Sequence, residues 1–355
     1  MTEKILMKGN EAIAEAAIQA GCRFYFGYPI TPQTEIAAYM AKRMPKIGGV
    51  FLQAESELAA VNMVYGASAA GKRAMTSSSS PGISLKSEGI SYIAGCDLPA
   101  VIVNVQRGGP GLGGIQPSQS DYFQATRGGG HGDYHLIVLA PASVQEMADL
   151  TIRGFNLADQ YRMPVMIFAD GTMGQMMEPV SLDAAGVRQY DKPWALTGTG
   201  MKRPHNIVNS LVLDPAELER QNFDRFARYE KIAETEPLWE SYCMEDAEYC
   251  VVAYGIASRV SKNAITEARK AGIRVGMIRP VTLWPFPKKA LAEAAETVRH
   301  FLTVEMSMGQ MVEDVELAIR CSRPVSLCKR TGGMIPSPAE VLSAIEAVVK
   351  GGKES

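Results

Sequence analysis

The sequence predicts an α/β protein, a doubly wound parallel sheet followed by a smaller α/β domain, and two observations predict it. Short apolar runs alternate with small-residue helical stretches through the first half, and after a lapse from about Ala184 to Met244 the alternation restarts. A chain of 355 residues, 46% of them hydrophobic, has material for about two domains with substantial cores.

In chain order, a helix is expected over 11–20, with Gly21 placed as its C-cap, and a strand over 24–28. Strands are also expected over 50–53, 73–77, 100–105, 136–139 and 165–168. The intervening segments 33–44, 58–70, 84–94 and 144–161 suit helices. Six strands with helical crossovers imply a parallel sheet covered on both faces. This domain is assigned to 1–185 and a connector to 186–245, whose polar helical stretch at 215–234 looks unlike a core element. The second domain, 246–350, alternates strands at 249–253, 274–278, 301–304 and 325–328 with helices at 258–271, 288–299, 311–320 and 338–349.

Thirty-six basic against 38 acidic side chains leave a net charge of −2, and no long basic run occurs, so nucleic acid is not an expected partner. From Met1, Thr2 and Glu3 the chain moves into an amphipathic pattern without an apolar targeting core, and no run of about 18 apolar residues follows. A soluble, cytoplasmic protein without a membrane partner is expected. The six cysteines include no Cys-x-x-Cys pair, which argues against a zinc ribbon, an iron–sulfur cluster and a disulfide scaffold in this chain. His131 and His135 have helical spacing, but Gly128, Gly129, Gly130 and Gly132 oppose a helix there, so no metal site is assigned.

Ligands of open parallel sheets bind beyond the carboxyl ends of the strands, so the loops after the strands hold the candidate chemistry. The first, Gly27 to Pro32, places Thr31 to cap the next helix and Pro32 in its first turn, leaving free N–H groups for an anion. In the second, Glu55 and Glu57 open a helix that stays almost uncharged for a dozen residues. Burial there would desolvate one of them, which keeps a carboxylic acid able to exchange a proton near neutral pH. Acidic residues in a first helical turn are also common for dipole reasons alone. The third loop, Thr76 to Gly82, offers hydroxyls but no Gly-x-Ser-x-Gly nucleophile elbow. The fourth sets Arg107 directly after a strand, suited to gripping a carboxylate with two hydrogen bonds. Gly109, Gly111 and Gly114 fit Gly-x-Gly-x-x-Gly, but Pro110 and Pro117 break the dinucleotide context, and the match is treated as chance.

Together, Gly27-Tyr28-Pro29-Ile30-Thr31-Pro32, Glu55-Ser56-Glu57-Leu58-Ala59-Ala60, Ser79-Ser80-Pro81-Gly82 and Gln106-Arg107-Gly108-Gly109-Pro110 closely resemble the 2-oxoacid:ferredoxin oxidoreductases. The second half resembles the family's transketolase C-terminal-type domain at 254–259, 279–287 and 304–310, so the likeness covers nearly the whole chain. The run from Gly108 to Gly113, continuing through Ile115 to Tyr122, is similar to the 3-methyl-2-oxobutanoate (2-oxoisovalerate) branch.

The resemblance implies a thiamine-diphosphate-binding fold of pyrimidine type. It implies oxidative decarboxylation of a branched-chain 2-oxoacid to an acyl-CoA, with ferredoxin reduced. A partner subunit would carry the diphosphate and magnesium, and an iron–sulfur subunit the clusters. The Gly132-Asp133 pair lacks the second glycine of the magnesium diphosphate signature, as expected of a chain relieved of that task. The family's catalytic glutamate stands nine residues before a glycine, and Gly66 sets Glu57 at that place. By the same carry-over Pro29 and Ser80 join Glu57 in binding the cofactor, and Thr31 and Arg107 bind the substrate. Two alternatives remain open at the level of sequence: the pyrimidine-binding chain of a lipoamide-linked 2-oxoacid dehydrogenase, and a non-catalytic scaffold.

Overall fold

The computed structural model describes residues 4–183 and 186–351; Met1, Thr2 and Glu3, and the junction residues Ala184 and Ala185, lie outside the described residues. The first half runs β1 (Lys4–Lys8), α1 (Gly9–Gln19), β2 (Phe24–Gly27), α2 (Thr34–Arg43), β3 (Val50–Gln53), α3 (Glu57–Ala69), β4 (Ala74–Ser78), α4 (Pro81–Gly95), β5 (Ala100–Gln106) and α5 (Tyr122–Thr126). It continues through β6 (Ile137–Leu139), α6 (Val144–Tyr161), β7 (Pro164–Asp170), α7 (Gly171–Gln175) and β8 (Met177–Ser181). A long helix, α8 (Pro215–Thr235), leads to β9 (Trp239–Tyr242), β10 (Tyr249–Val252), α9 (Gly255–Lys270), β11 (Val275–Pro280) and β12 (Thr282–Trp284). The chain closes with α10 (Lys288–Ala294), β13 (His300–Glu305), α11 (Met311–Ala318), β14 (Val325–Lys329) and α12 (Pro338–Gly351).

The main sheet has the order β12-β6-β7-β5-β4-β2-β3. Strands β4, β5 and β7 are buried at every position, which a sheet covered on both faces demands. Six strands are parallel as the sequence predicts, but a seventh, β12, is lent by the second half and pairs antiparallel with β6. Strands β1 and β8 form a separate antiparallel pair, and β9 adds an antiparallel edge to the second sheet, ordered β14-β13-β10-β11-β9.

The halves share their packing. Tyr229 and Ile232 of α8, with Ile256 and Met306, join the cluster beneath the main sheet, so α8 contributes to the core although its composition suggests only a connector. Gln119 fastens the seam: its Nε2 donates to the Tyr254 carbonyl at 2.9 Å, and its Oε1 accepts from Met306 N at 3.0 Å. Arg279, buried, donates to both oxygens of Glu146 and to Glu240.

Candidate active site

Strands β5, β4, β2 and β3 lie side by side, so the loops bearing Arg107, Ser80, Thr31 and Glu57 emerge as neighbours along one edge. The chain places β3 on one side of β2 and β4 on the other, which makes the β2/β4 boundary the switch point where such sheets open a crevice.

Of the two candidate carboxylates, Glu55 is exposed and Glu57 is buried at 6% exposure. Ser56 causes the difference: its side chain accepts from Ala59 N at 3.1 Å and fixes it as N-cap, which turns the next residue, Glu57, into the fold. Gly82, in the first turn of α4, accepts the acid. A Cβ there would stand 2.7 Å from Glu57 Oε1 and 2.0 Å from Ser78 Oγ, so only glycine lets α4 approach this closely.

Ser80 sits between that acid and the arginine. It holds φ 25°, a strained backbone for a side-chain-bearing residue. Its Oγ donates to Asp121 Oδ2 at 2.6 Å and accepts from Arg107 N at 3.0 Å, while its own N–H donates to Asn104 Oδ1. Burial raises the Asp121 carboxyl, and bonds from Ser80 and Asn104 oppose the rise. Asp121 and Asn104 escape sequence reasoning because no motif links them to the serine run.

Arg107 is buried, and its Nη1 donates to the Thr31 carbonyl at 3.0 Å and Nη2 to the Leu112 carbonyl at 3.2 Å. The structure therefore joins Arg107 to Thr31, the two residues expected to bind substrate. It corrects the role of Thr31 as a helix cap. The cap position of α2 belongs to Gln33, whose side chain is buried between the Tyr28 carbonyl and Ser77 Oγ and which lies two residues beyond Thr31, too far along for Thr31 to cap. Thr31 is left exposed, as is Pro29.

The glycine-rich loop after Arg107 closes on itself through Gly108 N to the Gln116 carbonyl, and no helix follows before α5. An open cleft of about 500 Å³ runs between this loop, the start of α4 and the second domain, with Ser80, Arg107, Asp121, Met308, Gln310 and Thr331 on its walls. Glu57 lies behind the first turn of α4. A larger cavity, about 910 Å³, sits elsewhere, around Trp284 and His135, and contains none of the cofactor or substrate candidates.

Several buried polar atoms from β4 to α4, and one of Arg107, have no hydrogen-bond partner among the described residues: Thr76 Oγ1, Ser78 Oγ, Ser79 Oγ, Lys86 Nζ and Arg107 Nε. Leaving such a group unpaired costs about 1–3 kcal/mol. Ser78 Oγ and Glu57 Oε1 both face the first turn of α4 at Gly82, and an unpaired hydroxyl beside a buried carboxylate fits a polar ligand such as an aminopyrimidine. No group of three or more His, Cys, Asp or Glu side chains suited to a metal occurs among the described residues.

Residues 15–215 match the family described as pyruvate flavodoxin/ferredoxin oxidoreductase, thiamine diphosphate-binding, and residues 247–341 match the pyruvate:ferredoxin oxidoreductase core domain II. The chain is 52% identical to the ketoisovalerate oxidoreductase subunit VorB of Methanothermobacter marburgensis, across 97% of each chain. It is 39% identical to the 2-oxoglutarate synthase subunit KorA of that organism, over 97% of this chain and 99% of that one. Among solved structures it resembles the 2-oxoglutarate:ferredoxin oxidoreductase of Magnetococcus marinus, with a TM-score of 0.87 at 28% identity, and spans 98% of its own length but 65% of that chain. A split-gene transketolase shares the fold alone, with a TM-score of 0.62 at 14% identity. With a thiamine diphosphate-binding domain in front and the core domain behind it, this chain belongs to the 2-oxoacid:ferredoxin oxidoreductases.

Proposed function

We propose that this chain is the pyrimidine-binding, catalytic subunit of an oxidoreductase that converts a branched-chain 2-oxoacid, 3-methyl-2-oxobutanoate above others, to its acyl-CoA with reduction of ferredoxin. The single observation that carries the reading is the buried carboxylate of Glu57, set beside Gly82 while its neighbour Glu55 faces solvent. Thiamine diphosphate, when bound, supplies the electron sink for decarboxylation.

The chain's own residues then divide the work. Glu57 turns its carboxylate to the ring and exchanges a proton with it, in surroundings dry enough to strengthen that hydrogen bond. Pro29 and Ser80 border the ring, and the strained backbone of Ser80 fixes the turn that separates ring from substrate. Thr31 and Arg107 bind the substrate's carboxylate and keto oxygen. Arg107 is held in place through Thr31 and Leu112, and its unpaired Nε remains as a donor.

A partner subunit would carry the diphosphate and its magnesium and close the cleft, and an iron–sulfur subunit would pass electrons to ferredoxin. Exposed Leu58, Leu85, Leu112 and Met308 around the site support a covering chain, because an apolar rim of this kind marks an interaction surface. Branched-chain preference rests on the likeness to the ketoisovalerate subunits. A cytoplasmic setting accords with six free cysteines, and no helix of the described residues is long and apolar enough to cross a membrane. The test is coenzyme-A-dependent reduction of ferredoxin by the assembled complex with a panel of 2-oxoacids. Highest kcat/KM on 3-methyl-2-oxobutanoate is expected. Activity with lipoamide in place of ferredoxin, or a preference for 2-oxoglutarate, would overturn the reading.

A further inference from the structure

Lys86 is fully buried, and its Nζ has no hydrogen-bond partner among the described residues. It stands on the face of α4 that packs against α3. Four residues before it, the Cβ position of Gly82 lies 2.7 Å from Glu57 Oε1; three residues after it, that of Gly89 lies 2.4 Å from Val61 Cγ1. Lys86 therefore enters the seam between Glu57 and Val61. Helical side chains lean toward the N-terminus of their own helix, which directs its ammonium back along the seam toward Gly82 and the acid.

Nothing structural requires a lysine there. An apolar side chain of the same length would fill the seam without the cost of desolvating a charge, a cost that a buried lysine offsets only through a partner of opposite sign. What lysine alone adds is positive charge one helical turn behind the carboxylate. Burial pushes its amine down to about 8, and the charge of Glu57 opposes that fall; no other charged group acts on it among the described residues. The side chains of β4 next to the seam are hydroxyls, and Gly82, Gly89 and Val61 carry no charge.

We propose that Lys86 is the counter-charge of Glu57, a positioning residue that holds this acid in its proton-accepting form toward the aminopyrimidine ring. The inference rests on the assignment of Glu57 made above. Lys86 keeps its own proton and touches neither ring nor substrate; it acts through Glu57.

Two measurements test it. In the full chain without cofactor, labelled with ¹³Cε-lysine and with Lys86→Met identifying the resonance, Glu57→Gln should lower the Lys86 titration midpoint by about one unit. An unchanged midpoint would overturn the coupling. In the assembled complex, Lys86→Met should move the acidic limb of the kcat–pH profile to higher pH, and Lys86→Arg should restore it; an unmoved limb would overturn the role. The first measurement contains no cofactor, so it reads the coupling even where thiamine proton exchange shows that Glu57 is not the ring's acid.

Discussion

Gly82 and Glu57 meet so closely that a methyl group on the glycine would lie 2.7 Å from the carboxylate oxygen Oε1. The contact joins the loop after β3 to the loop after β4 and sets where the acid stands. The other candidate residues follow from this point outward: Ser78 and Ser80 just before Gly82 in the chain, then Arg107 and Thr31 through hydrogen bonds.

Gly82→Ala tests that contact. The new Cβ meets Ser78 Oγ and Glu57 Oε1, both in buried positions, so overpacking should cost about 1–3 kcal/mol and push the carboxylate aside. Calorimetric titration of thiamine diphosphate into the assembled, cofactor-stripped complex should show at least about tenfold weaker binding. Binding of normal strength would show that the glycine does not set the acid's position.

The amine of Lys86, driven down by burial from 10.5 to about 8 against the pull of Glu57, gives a pH dependence of known sign. Between those values the unfolded chain binds a proton that the folded chain does not, so stability rises with pH there. The contribution is fully present above about 10.5 and is lost as pH falls through about 8. Lys86→Met should remove that slope, so that between about pH 7 and about pH 10 the parent gains stability relative to the variant by an amount on the order of 3 kcal/mol. Denaturant midpoints of variant and parent at about pH 7 and about pH 10 check it: the parent's midpoint should rise relative to the variant's at the higher pH, and an unchanged offset would contradict it.

Arg107→Lys keeps the charge but loses the planar fork that reaches the Thr31 and Leu112 carbonyls together. Each hydrogen bond from a charged group is worth about 1.5–3 kcal/mol, so KM for the 2-oxoacid should rise tenfold or more. Steady-state kinetics at saturating coenzyme A decides the point, and an unaltered KM would separate Arg107 from substrate binding.

The alternation of strands and helices was legible because apolar runs and small-residue stretches differ in period, and helix α6 falls on the expected residues 144–161. Strand β12 was not: Thr-Leu-Trp between prolines is too short to carry a pattern, and its partner β6 belongs to the other half. Strands β1 and β8 were missed because each has a single buried residue. At the site, Glu57 was favoured on resemblance, and its burial depends on the Ser56 cap. Thr31 was misread as a cap because Thr-Pro suits a helix start, whereas the buried side chain of Gln33 decides where α2 begins. Lys86 gave no signal, since a lysine on a helix ordinarily faces water and only the glycines on either side of it reveal a buried seam.

The most direct test of the account is exchange of the thiazolium C2 proton of thiamine diphosphate in the assembled complex carrying Glu57→Gln. The variant keeps the shape of the side chain but removes its ability to hold and return a proton, so folding and assembly should be retained while exchange falls to the rate of the free cofactor. Exchange at the parent rate would contradict the central claim that Glu57 is the acid on which this chain's chemistry depends.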